Sequence, residues 1–283
     1  MSKNAILSIL SIFILSFPVL ADASVFDKLF TGDGGDGEKT WHRDLLFDLK
    51  REIEGEKGVV FAELTKYIEK KGRTPRIFAG KVVGGSDEYF LLSPRNTRLR
   101  PSSWDRTFRF RRSEEGSNYA FHLYAGTAEA LVKPEGSFDR PNRTRVTEKE
   151  YSFSPGVEYS WDITLCVNIC NLRLSSNPFV RPRFVFLDAV EDAKVASWLD
   201  EVDAWANEKA TPPEETSVIA LRALVLERFE LFSEEREILE AGLKRFPASS
   251  LLYLLLADSL DLMGAPRGAE EAFKKAEELY PAQ

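Results

Sequence analysis

From Val157 to Leu165 apolar and polar positions alternate. Val157, Tyr159, Trp161, Ile163 and Leu165 share one face of an extended chain, and Pro155 and Gly156 open the run with a turn. Short runs of the same kind, rich in aromatic and β-branched residues and separated by turn residues, fill the chain between residues 76 and 188. The pattern predicts strands over 77–83, 89–92, 107–111, 119–124, 130–133, 151–153, 157–167 and 183–187. Most connections between them are too short for a crossover helix, which predicts an antiparallel β-sandwich over 76–188.

On either side the period becomes that of a helix. Trp41, Leu45, Leu49 and Ile53 fall four apart, and after Gly55 and Gly58 the spacing returns at Val60, Phe61, Leu64, Tyr67 and Ile68. Residues 41–75 are therefore expected to form a short helical segment that packs against the next domain. Beyond Ala189 one apolar stripe runs through Val195, Trp198, Leu199, Val202 and Trp205 and stops at Thr211, Pro212 and Pro213. Two helical pairs follow, so 189–283 reads as an all-α domain. Residues 24–40 carry Gly32, Gly34, Gly35 and Gly37 with Asp33 and Asp36, the composition of a flexible linker. The sharper alternative, a calcium loop, needs oxygen ligands at alternate positions, and glycines stand at the third and fifth places from Asp33.

The N-terminus adds an address. Lys3 precedes an apolar run from Ala5 to Leu20 that closes on Ala21, Asp22 and Ala23, a small-x-small site. This predicts a cleaved signal peptide over 1–23 and a periplasmic or secreted product with no stable membrane span once it is removed. The competing reading, an uncleaved anchor, is disfavoured by Pro18 and by a run shorter than the ~20 residues a span needs. Cys166 and Cys170, the only cysteines, are too few for a zinc site and suit an oxidising compartment as a pair. A bridge requires the chain to turn between them, for which Asn168 is placed; two small buried thiols are the alternative.

With 283 residues, 43% hydrophobic and 29% charged, the chain has material for a sizeable core. Its net charge of −7 is unevenly spread: 18 basic residues face 13 acidic ones over 72–190, and 10 face 20 over 191–283. That shift supports a domain boundary near residue 190.

Two resemblances emerge from particular residues. Leu92, Ser93, Pro94, Arg95, Asn96 and Thr97, then Arg106 to Phe110, then Pro155, Gly156, Val157, Glu158 and Tyr159, resemble a fibronectin type III or immunoglobulin-like domain of exported bacterial proteins. The resemblance implies a tyrosine corner at Tyr159, whose hydroxyl bonds nearby backbone, and places Phe110 where the family carries a tryptophan. In the helical part, Phe246-Pro247 and Tyr280-Pro281 lie 34 residues apart, and Pro213 lies 34 before Pro247. With Tyr253, Ala257, Gly264, Ala269, Phe273, Ala276 and Pro281 in the second pair, this is similar to tetratricopeptide repeats. In the first pair Ala223, Leu239, Gly242 and Pro247 fit, but Glu235 stands where the family has a small residue. The repeat resemblance implies a groove lined by the first helix of each pair, through Ala220, Leu224, Glu227 and Arg228 and then Leu251, Leu254, Asp258, Asp261 and Leu262. A protein or peptide would lie there, its acidic residues favouring a basic ligand, unless the leucines serve only packing.

Catalytic patterns are weak by comparison. His42 and His122 lie on different predicted elements, and the chain has no P-loop, Rossmann glycine pattern, zincin motif or serine elbow. No cofactor or metal is expected, and export with an acidic balance argues against nucleic acid. Arg98, Arg100, Arg109 and Arg111, interleaved with Trp104, Phe108 and Phe110, could present a polyanion-binding face to glycan or anionic membrane; strand alternation accounts for them as a solvated face. The reading is thus a non-catalytic protein–protein interaction adaptor, with polyanion binding or a structural spacer role in an envelope assembly as alternatives. N-terminal sequencing of the exported product should begin at Ser24; recovery of an intact N-terminus would establish the anchor instead.

Overall fold

The computed structural model describes residues 41–73, 91–110, 118–133, 143–167, 169–173, 181–212 and 215–280. The signal over 1–23, the linker over 24–40, the strand expected over 77–83, Arg111, Asn168 and Pro281 lie outside them. All described residues fall in one unit, Thr40–Gln283.

Helices α1 (Trp41–Ile53) and α2 (Val59–Arg73) come first. Their connection turns at Gly55 and Gly58, with φ of 86° and 140°, conformations that favour glycine. Among the described residues nine strands follow: β1 (Leu91–Ser93), β2 (Thr97–Leu99), β3 (Thr107–Phe110), β4 (Asn118–Ala125), β5 (Ala128–Lys133), β6 (Arg143–Arg145), β7 (Glu158–Val167), β8 (Ile169–Arg173) and β9 (Arg183–Phe186). The C-terminal region is helical: α3 (Ala189–Glu208), α4 (Thr216–Arg228), α5 (Phe232–Arg245), α6 (Ser250–Leu262) and α7 (Pro266–Leu279).

The strands form two open sheets, one in the order β1-β3-β6 and one in the order β2-β9-β7-β4-β5, with β8 also paired to β7. Alternation decides what they share. Phe108 and Phe110 of the small sheet join Phe121, Leu123, Tyr159, Trp161, Ile163, Phe184 and Phe186 of the large one in a single buried cluster. The Phe108 ring centre lies 4.7 Å from that of Phe121 and 5.3 Å from that of Trp161, within aromatic contact. Arg109, between the two phenylalanines, is partly exposed on the other face.

One expectation is corrected: pairing is not antiparallel throughout, because β2 and β9 run parallel, Thr97 opposite Phe184 and Leu99 opposite Phe186. Parallel neighbours need a long return path, and all of β3 to β8 lies between these two. β2, β6 and β8 were not foreseen, being short or lacking alternation, and residues 151–153 form no strand despite their aromatic content. Tyr151 and Phe153 instead pack their rings against Tyr159 at 6.0 and 5.1 Å.

The β7 corner is fixed by two polar bonds inside this apolar cluster. The Tyr159 hydroxyl accepts the Ser154 amide hydrogen at 2.8 Å, and the Trp161 indole N–H donates to the Pro94 carbonyl at 2.6 Å. At the other end of β7 the antiparallel β8 places Cys166 opposite Cys170. Opposed Cα atoms in such a pair are ~4.5–5.5 Å apart, inside the ~7 Å reach of a disulfide.

The helices begin where their sequence provides caps. Asp188 accepts the amides of Val190 and Glu191 at 2.9 and 2.8 Å at the start of α3, Ser249 accepts the Leu252 amide at 3.3 Å at α6, and Pro266 opens α7. At Gly242 an added Cβ would lie 3.1 Å from both Ile219 and Leu252, so α5 approaches α4 and α6 closely there. Ala257, Ala269 and Ala276 are likewise fully buried.

Tyr159→Phe removes the hydroxyl that accepts the Ser154 amide at the edge of the buried cluster and should cost about 1 kcal/mol. Chemical denaturation checks it, and an unchanged midpoint would remove the hydroxyl's structural role. A Cys166–Cys170 bridge would make the protein two hydrogens lighter by intact mass before reduction than after; equal masses would leave two thiols there.

Candidate functional site

The groove positions named from the sequence split into two sets. Ala220, Leu224 and Leu254 are fully buried and Glu227 nearly so, Leu251 and Asp258 are half-buried, and Arg228, Asp261 and Leu262 are exposed. The buried set is covered by the chain itself. α2 packs on α4 and α3, and α1 packs on α6, so the α1–α2 hairpin lies along the face of the first helix of each pair. Trp41, Leu46, Leu49, Ile53, Val60, Phe61, Leu64 and Ile68 of the hairpin belong to the same buried cluster as the residues of α3 to α7.

The hairpin is anchored at both ends. Trp41 stacks near Phe273 and Tyr280, with ring centres 5.3 and 5.7 Å away, and Phe61 lies 5.8 Å from Trp205. Glu201 of α3 reaches the start of α2 and accepts the Val60 amide at 3.3 Å, and the missing side chain of Gly58 makes room for that carboxylate. Fully burying a large apolar side chain stabilises by ~1.5–3 kcal/mol. Even half of the sum over these eight side chains rivals the ~5–15 kcal/mol net stability of a domain. The hairpin is therefore part of the fold, and a partner does not displace it as a whole.

Beneath the end of α2 lies a buried polar cluster. Lys71 pairs with Glu227 and, at 2.6 Å, with Asp258, while the Tyr67 hydroxyl donates to Glu227 at 2.9 Å. The acidic floor expected to take a basic ligand thus holds a lysine of the same chain. Burial, then the neighbouring Glu227, push the Tyr67 phenol well up from its ordinary value. Glu235 of α5 completes the cluster with no exposed surface. Sequence reasoning marks Tyr67 only as one apolar position of the helix and misses Lys71, although Leu64, Tyr67, Ile68 and Lys71 follow one another at helical spacing.

A second set of polar contacts joins the β region to the helices. The Arg95 guanidinium donates to the carbonyls of Met263 and Gly264 at 3.0 and 3.1 Å, and the Asn96 side chain donates to Met263 at 3.0 Å, so the end of α6 receives the donors its last carbonyls lack. Thr97 accepts the Ser233 amide at 3.2 Å at the start of α5. Arg98 pairs with Glu191, Arg109 with Glu237, and Arg100 with Asp192 at 2.7 Å and Glu234 at 3.5 Å. Arg98, Arg100 and Arg109, three of the four arginines weighed as a polyanion face, are thus already engaged with the helices; they flank a cleft of about 250 Å³ that Glu234 and Glu237 also line. Burial alone would raise Asp192, but hydrogen bonds from Arg100 and Ser102 outweigh it and hold the carboxyl below its ordinary range.

His122 lies between Glu129, which meets Nδ1, and Thr164, whose hydroxyl is 2.8 Å from Nε2. A hydroxyl, an imidazole and a carboxylate stand in a row, an arrangement that recurs in hydrolases. Here both the histidine and the threonine are buried inside a three-strand ladder, so the imidazole ties β4 to β5 and β7. Among the described residues no group of histidine, cysteine and carboxylate side chains is arranged to hold a metal ion, and no helix is long and apolar enough to cross a membrane. No protein-family model matches the chain, and no curated protein sequence matches it.

Arg100→Ala would leave Asp192 its Ser102 hydrogen bonds but no cation, a loss that approaches the ~3–5 kcal/mol of breaking a buried pair. Thermal unfolding should show a loss of that order. Because the Asp192 carboxyl is lowered, the stability it lends is present above its unfolded value of 3.8 and is lost as pH falls through the folded one; the difference between wild type and variant should shrink in acid.

Proposed function

We propose that this is an exported, non-catalytic interaction adaptor, in which a fibronectin- or immunoglobulin-like sandwich and tetratricopeptide-like helical pairs form one platform for a protein or peptide partner. The observation that carries the reading is the division of the repeat face. Its apolar and acidic floor is filled by the α1–α2 hairpin, while Arg228, Asp261 and Leu262 remain exposed at its edge. A large apolar side chain at 47% exposure beside a charged one suits the rim of a partner contact. The ionic seam supports the platform idea, since it makes the start of α5 and the end of α6 depend on the β region. Polyanion binding draws less support, because Arg98, Arg100 and Arg109 already have carboxylate partners.

A photo-crosslinking residue placed at Leu262 should capture a discrete envelope protein in the producing cell. The same probe at Val190, which is 78% exposed at the start of α3, should not. The adduct should vanish when Asp261→Lys is added. Equal labelling from both positions, or none from Leu262, would overturn the adaptor reading at this edge; retention of the wild-type protein on heparin at physiological salt would favour the polyanion alternative.

A further inference from the structure

Glu235 is the residue at which the first helical pair departs from the repeat pattern, a carboxyl where a small side chain belongs. It has no exposed surface, and neither of its oxygens has a hydrogen-bond partner. The Ser259 hydroxyl beside it donates to the Phe232 carbonyl at 3.2 Å. The groups facing it come from three elements: Tyr67 and Lys71 from α2, Glu227 from α4, and Asp258 from α6, with Asp261 further along the same helix. Glu234, next to it on α5, turns away to Arg100 and Ser103.

The cluster is short of donors. Three carboxyl groups supply only acceptors when ionised, and the donors near them are one phenol, one ammonium and the Ser259 hydroxyl, whose hydrogen goes to the Phe232 carbonyl. The phenol and the ammonium both serve Glu227 Oε1, and the ammonium also serves Asp258. Glu227 Oε2 and both Glu235 oxygens remain without a partner. Charge gives the same result: with every group ionised, three negative charges would share the Lys71 charge in a largely buried site. A single proton on Glu235 supplies a donor and removes one of the surplus charges.

We propose that the Glu235, Glu227 and Asp258 cluster is a proton-operated lock on the helical stack, closed when Glu235 carries a proton and loosened between α5, α4 and α6 when that proton is lost. Burial, then the Glu227 charge, raise Glu235 well above the ordinary carboxylate range, in keeping with that geometry. For a raised carboxyl the sign is opposite to that of Asp192. The folded chain retains a proton that the unfolded chain releases, so the contribution is fully present below the unfolded value of 4.5 and is lost as pH rises toward the folded value. An exported protein meets the pH of its surroundings, and the lock makes the rigidity of this face respond to it. The inference does not depend on the partner reading.

Denaturant unfolding of the full chain over pH 5 to 9 provides the test, with wild type beside Glu235→Gln, which mimics the protonated form in size and donor capacity. In the window between the unfolded and folded values the wild-type unfolding constant should rise about tenfold per pH unit more than that of the variant. The variant should also be the more stable of the two at pH 8. Parallel pH slopes, or a variant less stable than wild type at pH 8, would overturn the proposal. Should Glu235→Gln fail to fold, hydrogen exchange of the wild-type chain decides: amides of α5 should lose protection with rising pH beyond the intrinsic rate increase, and unchanged protection refutes the lock.

Discussion

Two stacked helical pairs cannot bury both of their faces, and everything else in this molecule follows from how the surplus apolar face is covered. Two helical pairs leave part of their apolar surface unburied against one another, and an apolar face left over needs a cover. Here α1 and α2 supply the cover. Their eight buried apolar side chains extend a cluster that already runs from Trp198 through Ala276. With the hairpin in place the helical part has a closed core of a size a domain needs. Without it, Ala220, Leu224 and Leu254 would line an open trough.

The β region depends on that helical body through a different force. Its excess of arginine meets an acidic set of helices, and the contacts are specific rather than diffuse. Arg95 and Asn96 end α6, Thr97 starts α5, and Arg100 is nine-tenths buried between Asp192 and Glu234. A buried pair of this kind adds little net stability over apolar residues of equal size, since desolvation offsets attraction, but any shift that separates the partners is costly. The seam therefore fixes orientation more than it adds stability. The aromatic cluster between the two sheets, centred on Phe108 and Trp161, supplies the apolar part that the seam lacks.

What could be read in the sequence follows from which forces are local. The alternation from Val157 to Leu165 and the helical stripe from Val195 to Trp205 depend only on which face is buried, and both elements are present within a residue or two of where the pattern put them. The caps at Asp188 and Ser249 and the crossing at Gly242 are equally local. β2, β6 and β8 carry three to five residues each, too few for a period to register, and the parallel β2–β9 pair depends on a neighbour more than eighty residues away. The groove residues were placed on the correct helices, but exposure is a tertiary property: nothing in the period of α4 or α6 says that another part of the chain lies on that face. The arginines were legible as a group, and so was their match to the acidic third of the chain. Which carboxylate each one meets was not, because ion pairing has no period.

Glu235 shows where the local and tertiary accounts meet. A small residue there would let α5 sit against its neighbours with no polar group to satisfy. A carboxyl instead forces α2, α4 and α6 to bring Lys71, Glu227 and Asp258 to one point, and the cluster is tolerable only while those groups stay together. The hairpin could slide along an apolar trough by a helical turn at modest cost, one leucine replacing another. It cannot do so with Lys71 attached to two carboxylates on different helices, because a one-turn shift of ~5.4 Å would strand all three charges. The Lys71, Glu227 and Asp258 contacts thus set the register of the cover on the stack.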